Sequence, residues 1–436
     1  MSLRPFREWP IRHSRPCLPL MRKAAKAWHV LRTQGVRGLL DRVRAAGQKK
    51  WTYLAESFRS DKSDIAPARS STNSQVRGTI LVVDSFVPFD DRSAGARRHF
   101  AIMRMMRDLH WKVTFLSDDS GSYEPYAARL REAGIEVILR RGSASNAIEQ
   151  MASSIDIAWV SRAPLLEKYL PCLRATTRAR VVFDTVDLHF LRLQRQMDVT
   201  GDDTGWTRMR DLELGLMRRS DCTIVTSGAE RLLLSKAHIP AYVIPIIEGA
   251  EAQGPDYVSR SGALFLGNYS HKPNVDAAAF LVNGIMPLLW RYDPDLTLTL
   301  AGDEPSRTVR SLAKDNVRVT GYVKDLRALF DRSRVFVAPL RYGAGIKGKI
   351  IQALAHGVPI VTSSIGAEGI GLQDEHDALI ADEPQHFANA ISRIYRDEEL
   401  WNRLSRGARE SANRFTPAAV RPDLETVLAQ VATQAF

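Results

Sequence analysis

From Gly78 onward the chain alternates short, continuous apolar runs with longer segments of helical period. TILVVDSFVP is an apolar run of strand length; a polar loop, FDDRSAGARR, follows it; HFAIMRMMRDLHW has helical spacing; KVTFLSDD returns to strand. The succession continues through IEVILRR, IDIAWVSR, ARVVFDTVD and CTIVTS. Unbroken apolar runs mark strands buried on both faces, and strand-helix alternation predicts a parallel sheet covered by helices on both sides. A second series opens at GALFLGNYS and runs through LTLTLAG, VRVTGYV, RVFVAPL and VPIVTSS. The pattern therefore predicts two doubly wound, Rossmann-like α/β domains, over residues 78–250 and 258–412, joined around IPIIEGAEAQGPDY.

The first 62 residues read differently. Leu20, Ala24, Ala27, Trp28 and Leu31 recur at helical spacing, as do Val36, Leu39, Leu40 and Val43, with a break near Gly35. Between Met1 and Lys62 stand fifteen lysines and arginines against four acidic residues, so this arm carries +11 of the chain's formal +12. Two short basic amphipathic helices that seek an anionic membrane surface fit this pattern, and packing onto the body is the alternative. No nucleic-acid module follows, so no nucleic-acid partner is expected. Residues 63–77 read as a polar linker.

A length of 436 residues suits two domains plus extensions. No apolar run reaches the roughly 18–20 residues of a membrane span, and the body is expected to be cytosolic. Cys17, Cys172 and Cys222 are too widely spaced for a disulfide framework or metal cluster and read as reduced, structural residues. No metal site is expected: Asp293-Pro-Asp295 reads as a turn.

The most informative stretch is YGAGIKGKIIQALAHGVPIV, Tyr342 to Val361. Good helix formers follow the glycines, and Gly357 before Pro359 supplies a stop, so a short helix is predicted near residues 347–356. Its N-terminus carries unpaired N–H groups and partial positive charge, which disfavours each nearby cation by roughly 0.3–1 kcal/mol. Lys347 and Lys349 break that rule. An anion at the helix end resolves the conflict, with Gly343, Gly345 and Gly348 letting backbone approach it; a solvated turn is the alternative.

Together APLRYGAGIKGKIIQALAHGVPIVTSSIGAEGI, PFDDRSAGARRHF, FDTVDLHFLR and LGNYSHKPNVDA resemble, in order, landmarks of bacterial glycosyltransferase family 4. The resemblance covers residues from about 78 to 432 and implies a GT-B fold. In that fold two Rossmann-like domains face a cleft, and residues 413–436 would form a helix crossing back to the first domain. It implies a retaining enzyme that uses a nucleotide diphosphate sugar as donor substrate and no cofactor. The acceptor would be a cell-envelope or exopolysaccharide glycan, lipid-linked, reached from the cytoplasmic face of the membrane.

The resemblance also implies roles. Gly95, Asn268, Val323, Gly343, Gly345, Ile346, Lys347 and Gly348 would bind the donor, Val323 through backbone facing the nucleobase. His189, with Asp187, would line the cleft and contact the transferred sugar, and Arg92 and Arg97 could hold an acceptor phosphate. The family's two glutamates, seven residues apart, fall here on Ala344 and Gln352, and its usual arginine on Asn268. Gln352 keeps hydrogen-bonding capacity without charge, on a polar stripe with Lys349 and His356 that could equally face solvent. Glu368 is the nearby carboxylate able to take over donor contacts. Read from the residues alone, Gly95 could be a simple turn glycine, Glu368 a helix-start acid, and either arginine a solvated surface group. With both glutamates absent, a non-catalytic nucleotide-sugar-binding homologue is the rival reading.

Overall fold

The computed structural model describes residues 76–119, 121, 123–139 and 144–433; the predicted arm and all but the last two linker residues lie outside them. The first series of apolar runs forms β1 (Gly78–Asp84), β2 (Trp111–Ser117), β3 (Glu136–Ile138), β4 (Ile157–Ser161), β5 (Arg180–Asp184), β6 (Cys222–Val225) and β7 (Tyr242–Val243). The second forms β8 (Ala263–Leu266), β9 (Leu298–Ala301), β10 (Val317–Gly321), β11 (Val335–Ala338), β12 (Ile360–Thr362) and β13 (Leu379–Ile380). Both sheets are parallel, in the orders β3-β2-β1-β4-β5-β6-β7 and β10-β9-β8-β11-β12-β13. Strands β7 and β13, two residues each, escape the hydrophobic pattern because so short a run has no period to read.

Successive strand residues point to opposite faces, which is why the runs are continuously apolar. Ile80 and Val82 enter one core of the first domain while Leu81 and Val83 enter the other. In the second domain Val335 and Val337 face one layer, and Phe336 and Ala338 the other.

The helices that bear on function are α1 (Ala94–Asp108), α2 (His189–Thr200), α3 (Trp206–Arg219), α4 (Gly228–Ser235), α5 (Lys272–Phe280), α6 (Gly348–Ala355) and α7 (Pro417–Thr433). Helix α7 returns the chain to the first domain, where Val420, Leu424, Val427, Leu428 and Val431 join the core beneath β1 and β2. No helix among the described residues is long and apolar enough to cross a membrane.

The open choice over Gln352 and His356 resolves toward burial: they are only 6% and 7% exposed, and the His356 ring stacks on Phe330. Lys349 and Gln352 of the stripe line the cleft described below, while His356 packs against the second-domain core. In the Asp293-Pro-Asp295 turn, Asp293 accepts from Ser392 and Arg396.

Candidate functional site

In both sheets the strand order reverses between two neighbours, β1 and β4 in one, β8 and β11 in the other. Ligands of doubly wound sheets bind beyond the carboxyl ends of strands at such points. Here both points open onto one cleft of about 350 Å³.

Two helix N-termini meet in it. Ser93 caps α1 by accepting from the Ala96 N–H at 3.1 Å, and the space beside Gly95 is empty. Helix α6 begins after Lys347 and has no side-chain cap. A β-carbon on Gly348 would stand 2.1 Å from that of Ala94, so only glycine lets these two helix ends touch. Each end carries about half a positive charge, and bringing them together is unfavourable unless an anion lies between them. Side chains reinforce the field: Arg92, Arg97, Arg162, Arg192, Lys347 and Lys349 line the cleft against Asp91, Asp187 and Asp303.

Lys347 is buried, its Nζ donating to the Gly345 carbonyl at 2.8 Å and standing 3.7 Å from Glu368. Burial pulls its ammonium down to about 8, with Glu368 opposing and Arg195 adding to the fall. Lys349 donates to Asn274 on α5 and lies 4.7 Å from the Phe265 ring centroid. Burial, then repulsion from Lys347, brings it to about 7. Both amines are thus set to gain from an anionic ligand.

The opposite wall is the β5–α2 turn. His189 Nε2 is 2.9 Å from Asp187 Oδ1, and Arg192 Nε is 3.1 Å from Asp187 Oδ2. Burial works against the Asp187 charge, but His189, Arg192 and Arg162 prevail and hold it at about 2. Burial likewise opposes charge on His189, yet its bond to Asp187 leaves the imidazole above its ordinary value.

Residues 260–397, about a third of the chain, match the family described as Glycosyl transferases group 1. The match lies within the second domain. An uncharacterized 44.6 kDa protein in the cps region of Klebsiella pneumoniae is 28% identical over 137 residues, which cover 29% of this chain but only 35% of that relative. Sucrose-phosphate synthase from Thermosynechococcus elongatus superposes on 81% of this chain and 99% of its own, with a TM-score of 0.66 at 16% identity. Anabaena HepE in complex with UDP and glucose covers 80% of this chain and 99% of its own, with a TM-score of 0.62 at 15% identity. These similarities establish the fold as GT-B.

The GT-B cleft brings together Gly95, Asp187, His189, Asn268, Val323, Gly343, Gly345, Ile346, Lys347, Gly348 and Gln352, and with them Arg92 and Arg97. Glu368 is not among its lining residues; both its oxygens are held by Arg195, at 2.6 and 2.7 Å. Asn268 is turned onto its own loop, accepting from the Ser270 N–H and hydroxyl. With its amide oxygen facing Arg97, Gln352 accepts from Nη1 at 3.0 Å and Nη2 at 2.8 Å. Arg92 reaches across to Asp303 at 3.5 Å and lies 5.0 Å over the Tyr322 ring. The two arginines therefore bridge the domains.

Several supports were missed in the sequence. Glu213 on α3, fully buried, accepts from the His189 and Phe190 N–H groups at 3.1 and 3.0 Å and so caps α2. Glu230 on α4 accepts from the N–H groups of Thr226 and Leu188 and from the Thr226 hydroxyl. Asp184, at the end of β5, takes a bidentate pair from Arg98 and a bond from Trp159; Asp84, at the end of β1, binds His99 and Arg162. One of these was legible: Ser227 followed three residues later by Glu230 is a capping-box spacing, and the Glu230 N–H bonds Ser227 Oγ at 3.2 Å. The others carry no local signal.

Proposed function

We propose that the chain transfers a sugar from a nucleotide diphosphate sugar to a cell-envelope or exopolysaccharide acceptor, lipid-linked, with retention of anomeric configuration. The observation that carries the reading is the meeting of two helix N-termini and six cationic side chains in the cleft of a GT-B fold with a glycosyl transferases group 1 domain. The leaving nucleotide diphosphate gains negative charge as the glycosidic bond breaks. Preorganised N–H groups and ammonium groups stabilise that charge more in the transition state than in the ground state. On this reading the α6 N-terminus and Lys347 receive the diphosphate without a metal, and the Gly95 turn faces it from the other side. His189, fixed by Asp187 and by the capped start of α2, meets the sugar. The cps-region relative and the UDP held by HepE support a polysaccharide setting and a uridine nucleotide as the first donors to try.

Purified protein is incubated with a panel of nucleotide diphosphate sugars and a lipid-linked glycan acceptor, following nucleotide release and product anomer by NMR. The expected result is acceptor-dependent release that survives EDTA, with an anomer matching the donor. Binding seen by thermal shift with no release from any donor would favour the non-catalytic homologue, since a ligand specific to the folded state raises its stability without chemistry.

A further inference from the structure

Helix α2 presents His189, Arg192 and Arg195 at intervals of three, and the last of these reaches the second domain. Arg195 Nη1 donates to the Gly343 carbonyl at 2.8 Å, and its two Nη groups grip both oxygens of Glu368. Glu368 Oε2 also faces Lys347 Nζ at 3.7 Å. One carboxylate thus lies between two cations, one from each domain, and of the two only Lys347 lines the cleft. The Glu368 carboxyl is pushed up by burial, but Arg195 and Lys347 outweigh this and hold it below its ordinary value.

We propose that Arg195 and Glu368 are positioning residues of a charge exchange that readies the cleft for a diphosphate only when the two domains are together. The inference rests on the reading of the cleft as a diphosphate site. With Arg195 docked, the Glu368 charge is spent on a bidentate guanidinium, and the Lys347 ammonium is left for an anion. When the domains part, Arg195 withdraws and Glu368 pairs with Lys347 inside the same domain, cancelling the charge that would attract phosphate. By linkage, an anion that needs the freed ammonium favours the docked arrangement by the same factor. The two groups already act on Lys347 in opposite directions, Glu368 favouring its charge and Arg195 opposing it.

The test is calorimetric titration of the full chain with inorganic pyrophosphate, an anion that needs the cationic cleft but no nucleoside or sugar contact. Arg195→Met should weaken binding by about ten-fold, because Glu368 then pairs with Lys347 and removes the charge-assisted contact that the lysine would make with the anion. Adding Glu368→Gln to Arg195→Met should then tighten it again, to within about three-fold of the unmodified protein, because nothing remains to neutralise Lys347. A second substitution that leaves binding unchanged would reduce the pair to a passive brace and overturn the proposal. One that weakens binding further would show that Glu368 holds Lys347 in place rather than neutralising it, with the same consequence. Should thermal melts show Arg195→Met to be unfolded, Arg195→Lys, which keeps the charge and loses the fork, is paired with Glu368→Gln and judged by the same change of sign. No pyrophosphate binding by the unmodified chain would also overturn the exchange, whereas sugar transfer stands or falls on nucleotide release.

Discussion

Lys347 and Lys349 sit where an α-helix least tolerates cations, and burial has taken both amines well below the ordinary lysine range, to about 8 and about 7. The proposed role makes two demands on them. Lys347→Ala should weaken UDP binding roughly ten-fold or more while leaving uridine nearly unaffected, since the lost bond is to phosphate and is worth about 1.5–3 kcal/mol. Titration of both ligands by calorimetry checks this, and equal losses would remove the lysine from the phosphate site. Affinity for a nucleotide diphosphate sugar should also fall as pH rises from about 7 to 9, where the free lysines lose their protons. The sign for stability is opposite. A lysine with a lowered folded value binds its proton more weakly folded than unfolded, so its contribution to stability improves as pH rises from about 7 toward 10.5, its ordinary value. At the same scale, a β-carbon on Gly302 would lie 1.8 Å from the Gly267 carbonyl oxygen, with φ at +136°. Gly302→Ala should cost about 2–4 kcal/mol in urea unfolding, because the carboxyl ends of β8 and β9 cannot separate without moving the cleft floor.

Helix α2 is the element on which the first domain's share of the site depends. Its start is capped by the buried carboxylate of Glu213 rather than by a neighbouring residue. Glu213→Ala leaves two N–H groups without their acceptor, and an expected loss of about 1–3 kcal/mol should appear in denaturant unfolding, with His189 displaced. Burial pushes the Glu213 carboxyl up to about 7, from an ordinary 4.5. An acid raised on folding holds its proton more tightly folded than unfolded, so stability declines as pH rises between those values. The advantage of the unmodified chain over Glu213→Gln should therefore shrink between pH 5 and 8. An unchanging difference would show that Glu213 does not titrate in this window.

For the whole molecule, the charge is lopsided: residues 1–62 hold +11 of +12, and the remainder is nearly neutral. The described residues form two sheets with their own cores. Cleavage within residues 70–74 should leave a folded body that keeps UDP binding and no longer sediments with vesicles containing anionic lipid. The full chain should sediment, and salt should release it only in part, since screening removes the electrostatic attraction and leaves apolar residues such as Trp28 and Leu39 at the interface. Full-length protein that ignores such vesicles, or a truncated body that unfolds, would assign the arm to internal packing instead.

Every strand except β7 and β13, the parallel arrangement of the two series, and the conflict at the start of α6 were legible in the chain, because periodicity, propensity and helix-end charge act within a few residues of one another. Tertiary structure decided what that helix end meets. It placed Ala94 against Gly348, Arg97 against Gln352 and Arg195 against Glu368, pairs separated by between one and three hundred residues, and no local pattern encodes the distance between two domains. It also decided which polar residues are interior. Asp84, Asp184 and Glu213 are no different in sequence from surface acids, and they are buried because partners from elsewhere in the chain, Arg162, Arg98 and the amides that open α2, arrive to satisfy them.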